Sequence, residues 1–180
     1  YNGKLINEMK PDERAKLGMF LSMQSPIEIE GVRLGNFLHQ SAKTLEKLYG
    51  RSVIQFRNEL RERTKSFGIA DNFIDRSLNF GFSGGEKKKT EILQMSMLKP
   101  NLAIIDEVDS GLDIDSLKLI SSHINKMRDG SFSGLIITHY QRILNHVNPD
   151  FVHVMIGGRI VKSGREEIVR EIEEKGYGSF

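Results

Sequence analysis

From residue 34 the apolar positions recur at helical spacing. Leu34, Phe37, Leu38, Ala42, Leu45 and Leu48 share one face, and Val53, Phe56 and Leu60 begin another, with Arg61, Glu62, Arg63 and Lys65 on its outside. This stripe predicts core-packed helices. Residues 69–78 are expected to form a third, short helix, and Ile92, Leu93, Met95 and Leu98 the inner side of a fourth. Before this region the first ten residues read as the tail of a strand and a turn, and Pro11-Asp12-Glu13-Arg14 opens a short helix with proline and acids in its first turn. Residues 17–23 read as an apolar strand that stops at the amide of Gln24, just before Ser25-Pro26. After Lys99-Pro100-Asn101 strands and helices alternate. Leu102-Ala103-Ile104-Ile105 has no polar alternation, which fits a parallel strand buried on both faces. A helix capped by Asp113 carries Ile114, Leu117, Ile120, Ile124 and Met127 and should end at Gly130. A strand at 135–138, a hairpin of 151–156 with 159–162 around Gly157-Gly158, and an amphipathic helix over 165–175 follow, with Gly176-Tyr177-Gly178 as its end. The pattern predicts an α/β chain with a parallel-sheet core in segments 1–33 and 99–180, and an inserted helical subdomain over 34–98.

Two segments carry candidate chemistry. In Gly81-Phe82-Ser83-Gly84-Gly85-Glu86-Lys87-Lys88-Lys89, Ser83 and Glu86 make a capping box, and the side-chain-free Gly84 and Gly85 let an anion approach the amides at the positive end of the helix. Alone, this run is equally an ordinary capped helix. The second segment is the strand that closes on Asp106-Glu107, followed by Ser110-Gly111-Leu112-Asp113. Ligands gather at the carboxyl ends of parallel strands, where one carboxylate can hold Mg²⁺ and its neighbour can orient a water. Taken by themselves, such acids are more often the start of a solvated loop, Gln24 a strand-terminal amide with nothing to bind, and His139 a helix-start residue.

Composition narrows the options. At 180 residues, 38% hydrophobic and 28% charged, the chain can bury one respectable core. No stretch approaches the length of a membrane span, and no hydrophobic run follows Tyr1-Asn2-Gly3-Lys4, so direct membrane insertion is not expected and a cytosolic or equivalent compartment is. A net charge of +2 does not call for nucleic acid, and Lys87-Lys88-Lys89 reads as a solvated helix face. The chain has no cysteine, which excludes disulfides and thiolate ligation of metal by this chain; its five histidines show no metal-type spacing, leaving Mg²⁺ as the expected metal.

In combination and order these motifs resemble the ATP-binding-cassette (ABC) ATPases. Ser83-Gly84-Gly85-Glu86 is similar to their signature, Asp106-Glu107 to the end of Walker B, Ser110-Gly111-Leu112-Asp113 to the D-loop, Gln24 to the Q-loop glutamine and His139 to the switch histidine. Within that superfamily, Thr138-His139-Tyr140-Gln141-Arg142-Ile143-Leu144, Gly158-Arg159-Ile160-Val161-Lys162-Ser163-Gly164 and Pro26-Ile27-Glu28-Ile29-Glu30-Gly31-Val32 resemble the SufC family, the ATPases of the Suf iron–sulfur cluster assembly system, over essentially the whole chain. The resemblance implies an ATP hydrolase using ATP and Mg²⁺. Asp106 and Gln24 would be metal ligands, and Glu107, Gln24 and His139 catalytic. Ser83, Gly84, Gly85 and Glu86 would bind ATP held by a second copy in a transient head-to-tail dimer. It also implies docking on SufB–SufD scaffold proteins, in the cytoplasm or a plastid stroma. A P-loop of the form G-x-x-x-x-G-K-[ST] is not found. In the family it precedes the Q-loop, so the expectation is a truncated form, an incomplete record or half of a split protein, inactive alone. The alternatives are a transporter's nucleotide-binding subunit, which would share every catalytic residue, and a non-catalytic scaffold-binding fragment. A chromosome-maintenance ATPase is disfavoured because residues 34–80 show no long heptad run.

Overall fold

The computed structural model describes residues 1–128 and 130–176, so the expected end at residues 177–178 lies outside the described residues. Helix α1 (Pro11–Lys16) leads into strand β1 (Met19–Ser22), and β2 (Ile29–Arg33) runs directly into α2 (Leu34–Thr44). Helix α3 (Val53–Ser66) follows, then a 3₁₀ turn (Asp71–Asp75), β3 (Ser77–Leu78) and the long helix α4 (Gly84–Leu98). The remainder is β4 (Leu102–Asp106), α5 (Ile114–Lys126), β5 (Ser133–Ile137), the hairpin β6 (Val152–Ile156) and β7 (Arg159–Gly164), and α6 (Glu166–Lys175). Strands β1, β4 and β5 form a parallel sheet in the order β1-β4-β5, while β2–β3 and β6–β7 are separate antiparallel pairs.

Local chemistry sets the helix starts. Ser52 and Gln55 reciprocally cap α3, Ser83 and Glu86 do the same for α4, and Asp113 accepts from the Ser116 amide at 2.7 Å to open α5. One apolar cluster then joins the helices to the sheet. Leu38, Phe56 and Leu60 from α2 and α3, Ile92 and Met95 from α4, Ala103 and Ile105 from β4 and Ile120 from α5 are all fully buried within it. A smaller cluster of Val154, Ile168 and Ile172 fastens α6 to the hairpin.

Several expectations are corrected. Residues 1–10 form turns, closed by Lys4 N to Tyr1 O (2.9 Å) and Met9 N to Ile6 O (3.1 Å), and no strand. The third helix expected at 69–78 is a 3₁₀ turn followed by β3. Extended backbone at Arg76 breaks the helical run, and Leu78 pairs with Ile29. Strand β2, not anticipated, supplies the partner. Helix α5 ends at Lys126, ahead of Gly130, as the last bonds tighten to Met127 N–Ile124 O and Arg128 N–Asn125 O, both 3.1 Å. Strand β4 is not buried on both faces: Ala103 and Ile105 are sealed, whereas Leu102, Ile104 and Asp106 are half-buried. In the neighbouring strands Leu21 and Leu135, which flank Ile104 in register, are half exposed.

Leu38→Ala should lower unfolding free energy by about 2–5 kcal/mol, because it opens a cavity in the main cluster. Ile54→Ala on the same helical layer, at a side chain 72% exposed, should stay within about 0.5 kcal/mol. Urea denaturation of both variants checks the pair.

Candidate functional site

The carboxyl end of β4 delivers two acids in succession. Asp106 is its last residue, and Glu107 turns sharply out of the strand with φ +45°, a left-handed conformation uncommon for a glutamate. Three main-chain bonds hold it there. The Glu107 amide donates to Ile137 O (2.9 Å), and its carbonyl accepts from Ser110 N (3.2 Å) and Lys88 Nζ (3.1 Å). The side chain is equally constrained: Gln24 Nε2 donates to Glu107 Oε2 at 2.7 Å, and His139 Nδ1 lies 3.0 Å from Oε1. Residues from the loops after β1, β4 and β5 thus converge on one carboxylate. Gln24 and His139 are exposed, the latter leaning on the Tyr140 ring, with centroids 3.9 Å apart. Gln24 uses its nitrogen on Glu107, which leaves its carbonyl oxygen, with the Asp106 carboxylate, as hard oxygen donors of the kind Mg²⁺ takes.

The amino end of α4 is the second part. Ser83 and Gly84 are exposed. Ser83 N donates to Glu86 Oε2 at 2.7 Å and Glu86 N to Ser83 Oγ at 3.3 Å, so Glu86 is occupied in holding the helix start. The bond from Ser83 N, first among its causes, holds the Glu86 carboxyl below its ordinary value. The Ser83 hydroxyl is bonded to Glu86 as well, and the amides of the first turn point outward at the positive helix end. Gly85 lies beside Leu112: a side-chain carbon on Gly85 would stand 3.7 Å from Leu112 Cδ2. Of the stretch Ser110-Gly111-Leu112-Asp113, Leu112 is buried, Gly111 turns with φ +73°, and Asp113 caps α5. Among the described residues no hydrogen bond joins Ser83 or Glu86 to Gln24, Glu107 or His139. These two clusters meet through the body of α4.

That connection is Lys88. The expectation of a solvated lysine face is corrected here, because Lys88 is 5% exposed and Lys87 pairs with Glu28 at 2.6 Å. The Lys88 ammonium donates to Gln24 O (2.7 Å) as well as to Glu107 O, and burial lowers its pKa against the opposing charges of Glu91, Asp106, Asp109 and Glu107. One turn on, buried Glu91 accepts from Ser22 Oγ at 2.5 Å. Asp109, also buried, accepts from Thr138 Oγ1 at 2.8 Å, while its Oδ1 has no hydrogen-bond partner among the described residues. Sequence reasoning missed Lys88, Glu91, Ser22, Asp109 and Thr138. A signal for the first two existed: positions 88, 91, 95 and 98 fall on one helical stripe with Met95 and Leu98.

Burial raises the Glu91 pKa above 4.5, with the Ser22 hydrogen bond and the Lys88 charge opposing it. A carboxyl whose folded pKa is raised contributes stability that is complete below its unfolded value and is lost as pH rises through the folded one. Between about pH 4.5 and the raised value, wild-type stability should therefore fall relative to that of Glu91→Gln. Urea midpoints across this window check the sign; parallel curves would contradict it.

With this geometry in place, comparisons with known proteins are informative. No protein-family model matches the chain. Vegetative protein 296 of Bacillus subtilis (strain 168) is 49% identical over 178 residues, spanning 98% of this chain and 68% of that protein. The "Probable ATP-dependent transporter SufC" of Escherichia coli (strain K12) is 44% identical over 99% of this chain and 73% of its own length. Among solved structures, an ATP-binding subunit of an ABC transporter superposes with a TM-score of 0.71 at 23% identity, covering 97% of this chain and 70% of that one. A dimeric ATP-binding cassette bound to ADP and Pi gives 0.70 at 16% identity, over 88% and 68%. These structures support the fold, and the sequence relatives carry the assignment further: the chain belongs to the SufC-type ABC ATPases.

Proposed function

We propose that this chain supplies the hydrolytic half-sites of an ATPase that works on an iron–sulfur cluster assembly scaffold of the SufB–SufD type, in the cytoplasm or an equivalent compartment. The observation that carries the reading is the Glu107 carboxylate, fixed between Gln24 and His139 at the carboxyl end of a parallel strand. Each carboxylate oxygen has a second lone pair, so Glu107 can accept a proton from a water while both existing bonds persist. His139 orients the carboxylate from one side and Gln24 from the other. Asp106 and the Gln24 carbonyl would hold Mg²⁺, which when bound neutralises phosphate charge. Ser83 and the amides of Gly84 and Gly85 form an outward anion-binding tip. We assign it to the nucleotide held by a second copy, in a transient head-to-tail dimer, with Glu86 as the brace of that tip and Ser110-Gly111-Leu112-Asp113 beside it.

In this division of labour segment 34–98 is a subdomain that carries the tip, and segments 1–33 and 99–180 carry the hydrolytic residues. Because α4 holds both Ser83 and Lys88, closure of two copies on nucleotide reaches Gln24 and Glu107 through one rigid element. The loop after β1 and the helical segment are the docking surface for the scaffold in this reading. Some of the relatives are named as probable ATP-dependent transporters, and a transporter subunit would share this site. Retention of the full-length protein on an immobilised SufB–SufD complex supports the scaffold reading, and absence of retention favours the transporter.

In the full-length protein Glu107→Gln should lower kcat by about 10²-fold or more while nucleotide-driven pairing persists. Single-turnover hydrolysis and sedimentation measure the two effects, and undiminished turnover removes Glu107 as the base. Ser83→Arg should abolish nucleotide-dependent pairing, and unchanged pairing would contradict the shared site.

A further inference from the structure

At the far end of α4, the opposite pole from Ser83, lies a cavity of about 630 Å³. Fifteen helical residues, at a rise of about 1.5 Å each, separate the two ends by roughly 20 Å. Among the described residues, none of the catalytic or signature residues lines this cavity, and none of its lining residues is an aspartate or glutamate. Lys47, Lys99, Lys126, Arg63, His123 and Tyr49 all face it. In a chain whose cations and anions nearly balance, such one-sided lining is a local concentration of charge.

The cations differ in what they are committed to. Arg63 pairs with Glu59 at 2.9 Å and donates to Ser96 O at 3.1 Å, so it is largely spent on structure. His123 lies flat on Phe67, with centroids 3.7 Å apart, bonded to Ser66 O. Burial holds its pKa below the ordinary value. Lys47, Lys99 and Lys126 form no ion pair with any carboxylate among the described residues; Lys99 rests 5.8 Å from the centroid of the Tyr49 ring. The carboxyl ends of α4 and α5 both reach this region, and each carries about half a negative charge. Two helix ends account for about one of the three lysine charges. Among the described residues the surplus has no carboxylate partner.

Backbone conformation points the same way. Tyr49 (φ +51°) and Lys99 (φ +45°) both hold the left-handed conformation that disfavours bulky side chains, at a cost of about 1–2 kcal/mol each, where glycine or asparagine would sit without it. The strain places an aromatic ring and an ammonium on the same cavity wall. The volume falls in the range of about 300–1,000 Å³ typical of small-molecule sites. Lysine ammoniums act as mobile point charges that can bind phosphate oxygens.

From these observations we infer that the cavity binds a small anion bearing several phosphate groups, held by Lys47, Lys99 and Lys126 and flanked by Tyr49. The site is separate from the nucleotide site proposed above and does not depend on it.

The test is titration of the protein with sodium tripolyphosphate by isothermal calorimetry, with ADP as a second arm to distinguish a bare phosphate chain from a nucleotide. Saturable binding is expected that weakens at least tenfold in Lys47→Gln/Lys99→Gln/Lys126→Gln and also weakens with added salt. Lys99 and Lys126 are exposed and Lys47 is half-buried, so the triple variant should fold; a circular-dichroism melt confirms it, and the single Lys126→Gln variant provides a milder step. Lys4→Gln, at an exposed lysine that does not line the cavity, should leave tripolyphosphate binding unchanged. Affinity equal in the triple variant and wild type, an equal loss of binding in Lys4→Gln, or no saturation below about 1 mM, the weak end of specific affinity, would each overturn the assignment. ADP binding that survives the triple variant while tripolyphosphate binding is lost restricts the site to bare phosphate chains and supports it.

Discussion

One buried ammonium ties the parts of the candidate site together. Taking an ion of that size out of water costs several kcal/mol, and the cost is met only when the protein supplies well-placed oxygen partners. Lys88 finds them in the carbonyls of Gln24 and Glu107, and the charges of Glu91, Asp106, Asp109 and Glu107 favour its charged form. The consequence is mechanical as well as energetic. The helix that Ser83 caps, the loop after β1 and the residue following β4 share one ion, so none of the three can shift without disturbing the other two.

Glu107 shows how that constraint is used. A left-handed glutamate costs of order 1–3 kcal/mol, and it persists because its amide and carbonyl are bonded to β5, to the following turn and to Lys88. At about 0.5–1.5 kcal/mol net apiece, three such bonds are of the same size as the strain. The turn is therefore held by its surroundings, and it aims the carboxylate at Gln24 and His139 instead of letting it continue along the strand. Segments far apart in the chain meet here because parallel strands bring their carboxyl ends to one edge.

Much of this was legible in residue order. The capping box at Ser83 and Glu86, the cap at Asp113 and the acid-tipped strand are local patterns, and local hydrogen bonds realise them with the expected partners. Long-range polar pairings were not legible. Nothing about Ser22 or Thr138 as isolated residues announces Glu91 or Asp109, since those bonds depend on which strand lies beside which helix. Lys88 was misjudged for a different reason: three adjacent lysines suggest solvent, whereas the helical period places the middle one on the same stripe as Met95. The short helix expected at 69–78 failed because apolar residues at helical spacing also suit a turn packed on a core, and the pairing of Leu78 with Ile29 settled the backbone.

The open row across the sheet, Leu21, Ile104 and Leu135 side by side with Ile137 beyond, has a colloidal consequence. Contiguous greasy surface of this kind attracts its like, and a net charge of +2 provides little mutual repulsion between molecules. Concentration and ionic strength would then govern how this polypeptide behaves in a tube, because salt weakens that repulsion while leaving the oily contact intact.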